Sequence, residues 1–352
     1  MRLCVHGALG VVFGRLNFLL TMGKKGDGGD REEAPAEIPL ARYLASTEKP
    51  VRDRAIRSLA KYIAECTGDE GLNLAPLELA KLWKGIFYCF WMSDKPLVQQ
   101  ALAQELADLV LTIAGLGDDE KRSAPDARAY SALAFYAGFW GTIEREWLGI
   151  DKFRVNKYYM LMRRFVCVGL RLLHAYSWHA ALVERFCDIL TRPGGPLTAN
   201  DVHVPDSIAY HISDVFLDEL DRVAAAGGDA RVPAIALLTP FIQLVAKSSS
   251  HTMYDRVMGA VLEPFIDECA RIEDAAAAHK RRRVEVETRF PSLLGAMADA
   301  DGEATTLAGR VRHRLLYTVF VVAGGQDTYA PHRRRLYALW QAEADEEDED
   351  EE

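Results

Sequence analysis

The chain has 352 residues, 49% hydrophobic and 26% charged, the balance of an ordinary soluble protein able to bury a large core. Its formal charge of −9 is local: nine of the acids fall in residues 343–352, and the remaining body holds 42 acids against 42 bases. Cys4, Cys66, Cys89, Cys167, Cys187 and Cys269 show neither C-x-x-C nor a histidine pair at zinc spacing, which argues against a disulfide framework and fits a reducing compartment.

Residues 1–37 read as a leader. Its apolar run, Ala8–Leu20, is interrupted by Arg15 and is too short to cross a bilayer, and Met22 opens a polar Gly, Lys and Asp run. Met1–Thr21 therefore reads as an extension ahead of the true start or as an unstructured leader, with secretion as the alternative. From Ile38 to about Asp267 apolar residues recur at three and four between short Gly, Pro, Asp or Ser breaks, the helical pattern. Helices are expected at Pro39–Cys66, Pro76–Met92, Lys95–Ala114 and Ala127–Trp147, followed by Asp151 capping a long helix to about Tyr176, and by His179–Leu190. The aromatic block Leu82–Met92 carries rings on nearly every side and is expected in the core. Thr191–Pro205, with Pro193, Gly194, Gly195 and Pro196, is the clearest break, a surface loop or a hinge. Helices resume at Asp206–Ala226, Val232–Lys247 and Thr252–Ala278. Residues 279–342 read as a charged linker and C-terminal helices (Thr306–Val322 and His332–Ala342), and 343–352 as a solvated acidic tail.

No stretch of strand period interrupts the series, so the fold class is all-α: an α-solenoid or an irregular bundle of antiparallel helical pairs. Such a fold offers ridges more readily than one closed pocket. The chain lacks a phosphate-binding loop, a dinucleotide fingerprint, a G-x-S-x-G elbow and an H-E-x-x-H helix. Gly194-Gly195 sits between prolines as a turn, and His203 and His211 are separated by Pro205. Asp214, Asp218, Glu219 and Asp221 lie on different sides of one helix, a solvated or partner-contacting acidic segment. No cofactor or metal site is expected.

The basic groups carry more pattern. Glu144–Arg164 interleaves cations with aromatics, and Lys157, Arg164 and Arg171 recur every seven residues, a stripe about 20 Å long with Arg154 beside it. Arg54, Arg57 and Lys61 line one face of the first helix. Either set is spaced to follow phosphates of an RNA backbone; the bland alternative has their stems covering core while their heads meet water or acids. Lys280, Arg281, Arg282 and Arg283, and Arg333, Arg334 and Arg335, form two short clusters that read as nuclear addresses or nucleic-acid contacts.

Four ordered blocks resemble the ribosomal RNA processing protein 1 family of eukaryotic nucleolar large-subunit assembly factors. These are Glu48-Lys49-Pro50-Val51-Arg52-Asp53-Arg54-Ala55, the stretch Lys81–Leu97, the segment Glu144–Arg164 and, more weakly, Ile212–Val223. The resemblance covers about Pro39–Asp267. It implies a HEAT-like helical domain over 38–278, in the nucleus and nucleolus, bound to early precursors of the large ribosomal subunit. It further implies a non-enzymatic role in pre-rRNA processing and subunit assembly, with pre-rRNA, other assembly factors and ribosomal proteins as partners and no membrane. No catalytic residue carries over. A purely protein-binding adaptor, acting on RNA processing indirectly, is the alternative.

Overall fold

The computed structural model describes residues 43–44, 46–66, 71–72, 76–117, 120–227, 231–279, 288–297 and 304–350. Among them the chain is helical without a β-strand. The helices are α1 (Lys49–Cys66), α2 (Pro76–Trp91), α3 (Pro96–Ala114), α4 (Ala127–Glu146), α5 (Val155–Ala175), α6 (Ala180–Thr191) and α7 (Asp206–Ala224). They continue with α8 (Ala234–Lys247), α9 (His251–Val257), a π-turn at Met258–Leu262, α10 (Glu263–His279), α11 (Pro291–Ala296), α12 (Ala304–Ala323) and α13 (Ala330–Asp350). The all-α expectation holds, with helices packed in pairs. The chain divides into two compact units: residues 1–119, 126–142 and 151–161, and residues 120–125, 143–150 and 162–352.

In the first unit α3 packs on α1 and α2. Pro96 starts α3, where its missing N–H costs nothing. Gly115 ends it at φ +65°, donating to Thr112 O while Leu116 donates to Leu111 O; only a residue without a Cβ reaches this left-handed C-terminal turn without strain. The aromatic block of α2 is the core here. Trp83, Phe87 and Phe90 are buried; Trp83 Nε1 donates to Phe135 O at 3.0 Å and its ring lies 4.5 Å from that of Phe135. Gly138 permits this approach, because a Cβ there would stand 2.5 Å from the indole of Trp83.

In the second unit α8 is central, packing on α6, α9, α12 and α13, while α12 also packs on α10 and α13. Its side chains Leu237, Leu238, Phe241, Ile242 and Val245 are fully buried, which explains its nearly continuous apolar sequence. The loop at 191–205 lies within this unit and is anchored. Leu197 and Val204 are buried, and the Asn200 amide donates to Lys247 O while its oxygen accepts from Ser249 N. The acidic segment of α7 is spent on internal ties: Asp214 pairs with Arg256, and Asp221 accepts from the Ser292 and Leu293 amides, capping α11. The last helix runs to Asp350, into the run read from sequence as a solvated tail.

Candidate nucleic-acid interface

The first three signature blocks meet at one point in the first unit, the C-terminal end of α2. The last carbonyls of a helix lack intrahelical donors and carry partial negative charge, so cations are favoured there. Lys157 Nζ donates to Trp91 O at 2.6 Å and to Ser93 O at 2.8 Å. Arg52, also buried, donates to Met92 O at 3.1 Å and, from its other nitrogen, to Ser46 O and Thr47 O at 2.8 and 2.9 Å. Tyr158 donates to Phe87 O at 3.0 Å and stacks on the Phe87 ring at 4.8 Å. One block thus supplies Arg52, the second the carbonyls and rings, and the third Lys157 and Tyr158.

That arrangement corrects the heptad stripe. Lys157 is 7% exposed and both of its hydrogen bonds are to backbone, so it is not available to phosphate. Burial first, then the charge of Arg154, lowers its pKa to about 8. The reason is helix position: across Val155–Ala175 only Asn156 is exposed, so heptad-spaced stems face neighbours and not solvent. Arg154 is half-buried, ion-paired with Asp151 and 4.8 Å from the Trp91 ring centre. Asp151 caps the turn that leads into α5, accepting from the Phe153 and Arg154 amides, and the helix itself begins only at Val155; the Arg154 guanidinium, more than these amides, holds its carboxyl below the ordinary range. In the second unit Arg164 and Arg171 are half-buried.

The α1 ridge is different. Arg54, Arg57 and Lys61 are all exposed at i, i+3, i+7, covering about 10 Å of helix. Arg54 and Arg57 make no ion pair among the described residues, and the neighbouring acid, Asp53, is taken by Lys49. Lys280, Arg281, Arg282 and Arg283 lie outside the described residues. Of the second cluster, Arg333 donates to Gly325 O and Thr328 O at the end of α12, and Arg335 pairs with Asp255 at 2.8 Å and stacks on Tyr254 at 3.9 Å. Only Arg334 of the three is exposed without such contacts.

A family model described as "Nucleolar protein, Nop52" matches residues 35–294. The chain belongs to the Nop52 family of nucleolar proteins. It is 32% identical over 252 residues to human ribosomal RNA processing protein 1 homolog B, which covers 71% of this chain and 31% of that protein. It is 33% identical over 241 residues to mouse ribosomal RNA processing protein 1 homolog A, covering 68% and 45%. It is 31% identical over 211 residues to the Drosophila melanogaster ribosomal RNA processing protein 1 homolog, covering 60% and 28%. The chain spans from about a quarter to just under half the length of these relatives.

Within the Nop52 region, no group of three or more His, Cys, Asp or Glu among the described residues could hold a metal. Burial raises the thiols of Cys89, Cys187 and Cys269 to about 12 and that of Cys167 to about 11, leaving them protonated hydrophobes at neutral pH. His203 is exposed and His211 half-buried, with no convergent ligand set. No described helix is long and apolar enough to cross a membrane. Sequence reasoning missed two features. Phe153, in the third block, is 84% exposed, and α12 exposes Tyr317 and Phe320, residue types that composition alone assigns to a core.

Proposed function

We propose that this chain is a non-catalytic helical scaffold of nucleolar pre-ribosomal particles, acting in pre-rRNA processing and assembly of the large ribosomal subunit. On this reading α1 contacts pre-rRNA, while other faces meet assembly factors and ribosomal proteins. The observation that carries the RNA contact is the exposed row Arg54, Arg57 and Lys61, inside the family-matched region, with the guanidiniums of Arg54 and Arg57 unspent on acids among the described residues. The names of the relatives support the process. The buried role of Lys157 moves the contact from α5 to α1.

Replacing Arg54, Arg57 and Lys61 together by Glu tests it. Three lost phosphate contacts flatten the log–log salt dependence of binding to single-stranded RNA by about 2. The folded variant should also sediment less with pre-large-subunit particles. Unchanged sedimentation and salt slope would refute the assignment. Phe153 favours the adaptor alternative, since an exposed ring on a capped turn is a ready protein anchor. Phe153→Ala losing an assembly protein from the particle, with RNA affinity intact, would select that alternative.

A further inference from the structure

The C-terminal end of α8 is closed by groups from outside the helix. Its last four carbonyls, those of Leu244, Val245, Ala246 and Lys247, lie beyond the reach of the helix's own donors. Ser248 N donates to Leu244 O at 2.9 Å, and the Asn200 amide donates to Lys247 O at 2.8 Å. The other two are met by the start of α13: Tyr329 N donates to Ala246 O at 2.9 Å, and His332 Nδ1 lies 2.9 Å from Val245 O. His332 is fully buried, and its second ring nitrogen, Nε2, lies 3.2 Å from Nδ1 of His251, the exposed first residue of α9.

The partners fix the protons. A carbonyl only accepts, so Nδ1 of His332 carries a hydrogen. A neutral imidazole has one N–H, so Nε2 of His332 presents a lone pair and Nδ1 of His251 donates to it. A first added proton goes to Nε2 of His251 and leaves both bonds in place. A second has no site, because two charged rings would turn an N–H toward an N–H across 3.2 Å. The surroundings resist that second proton. Burial first, then His251 and Arg335, lower the pKa of His332, opposed by Val245 O and Asp255. From α9 the Tyr254 ring packs on His332 at 4.5 Å, and Tyr329 packs on it at 5.0 Å ahead of α13. Asp255, the carboxylate facing the pair from α9, is already engaged by Arg335 of α13 at 2.8 Å, and Arg335 lies over the Tyr254 ring at 3.9 Å.

We propose that His332 and His251 form a proton-operated latch: with at most one added proton between them they fasten the start of α13 to the end of α8, and with both rings charged they release it. The release is local, because α12 is held separately by the buried Leu315, Leu316 and Val319. Opening takes up one proton more than the closed pair can hold. The open population therefore rises about tenfold for each unit that pH falls below the ordinary histidine value of 6.5, and is flat above it. The helix so fastened carries the acidic run at its other end, so the latch governs how that run is anchored. The latch does not depend on the RNA contact proposed for α1.

Two measurements on the full 352-residue chain test it. Long-range proton–nitrogen correlation spectra should show His332 as the neutral Nδ1–H tautomer at about pH 7.5. Hydrogen exchange read by mass spectrometry and scaled to intrinsic rates should show peptide 329–336 losing protection about tenfold per pH unit between about pH 6.5 and about pH 5, while α12 and the centre of α8 keep theirs. His251→Asn, at an exposed position, donates its amide to neutral His332 and, turned over, accepts from the charged ring, so this variant should stay latched in acid. His332→Asn keeps a donor for Val245 O and takes no proton, and its protection should not vary with pH. An Nε2–H tautomer, a charged His332 whose amides stay protected, or protection that is flat with pH would overturn the latch. So would an acid loss of protection that persists in folded His251→Asn, or one that spreads over α8 and α12 together.

Discussion

Lys157→Met separates the structural reading of the third block from an RNA-binding one. Methionine replaces most of the stem but removes the Lys157 donor from Trp91 O, while Ser93 O keeps the Gln99 side-chain amide as donor, in a site where the lysine is 7% exposed. A buried acceptor deprived of its partner costs about 1–3 kcal/mol, so the loss should be about 2 kcal/mol once the side chain repacks. The pH dependence adds a signature. The folded pKa, about 8, lies below the ordinary 10.5. Between those values the unfolded chain binds the extra proton and the folded one does not, so this group's contribution to stability rises with pH across about 8 to 10.5 and is flat below about 8. The assay is urea unfolding followed by far-ultraviolet circular dichroism, comparing wild type and variant at about pH 7 and about pH 10. The gap between them should widen at the higher pH. A loss below about 0.5 kcal/mol, or a gap that narrows as pH rises, would refute the capping role. The single-strand RNA salt slope should not change.

Gly138→Ala puts a Cβ 2.5 Å from the Trp83 indole and should cost about 1–3 kcal/mol, read as a lower Tm; an unaltered Tm would contradict the close approach. Glu219 is buried, accepting from Arg163 Nε at 2.5 Å on one oxygen while Arg222 nears the other at 3.2 Å without hydrogen-bond alignment. Arg163→Ala should cost about 2 kcal/mol, less than a fully buried pair because Arg163 is partly exposed, and Arg163→Ala/Glu219→Leu should recover part of it. Burial raises the Glu144 carboxyl to about 7, above its ordinary 4.5, and leaves one oxygen without a hydrogen bond. There the folded chain holds the extra proton, so stability falls as pH rises from about 4.5 to about 7; Glu144→Gln should abolish that slope, and an unchanged slope would count against it.

Helix positions were largely legible because each helix buries a face, which writes the apolar residues at three and four. Pro76–Trp91, Pro96–Ala114 and Asp206–Ala224 fall within two residues of the ends expected from that pattern and its Pro and Gly breaks. The short α11 escaped: six residues make too few turns to show a period, and its N-terminus is capped by Asp221 from a distant helix. That Asp151 binds nearby amides was readable, being local, although those amides belong to the turn before α5. The role of Lys157 was not, because heptad spacing records where a side chain sits on its own helix and nothing of the carbonyls 64 and 66 residues away that receive it. Likewise the rings of α12 have the composition of a core stripe, and only the partner helix decides that Tyr317 and Phe320 stay outside.

The central claim is that this Nop52-family chain touches RNA directly, and through α1. Ultraviolet crosslinking of the chain within pre-large-subunit particles, followed by mass spectrometry of RNA-bearing peptides, tests it most directly. The expected result is RNA adducts on the peptide carrying Arg54, Arg57 and Lys61, lost when the three are changed to Glu. Protein crosslinks across the chain with no RNA adduct on any peptide would contradict it and leave the adaptor.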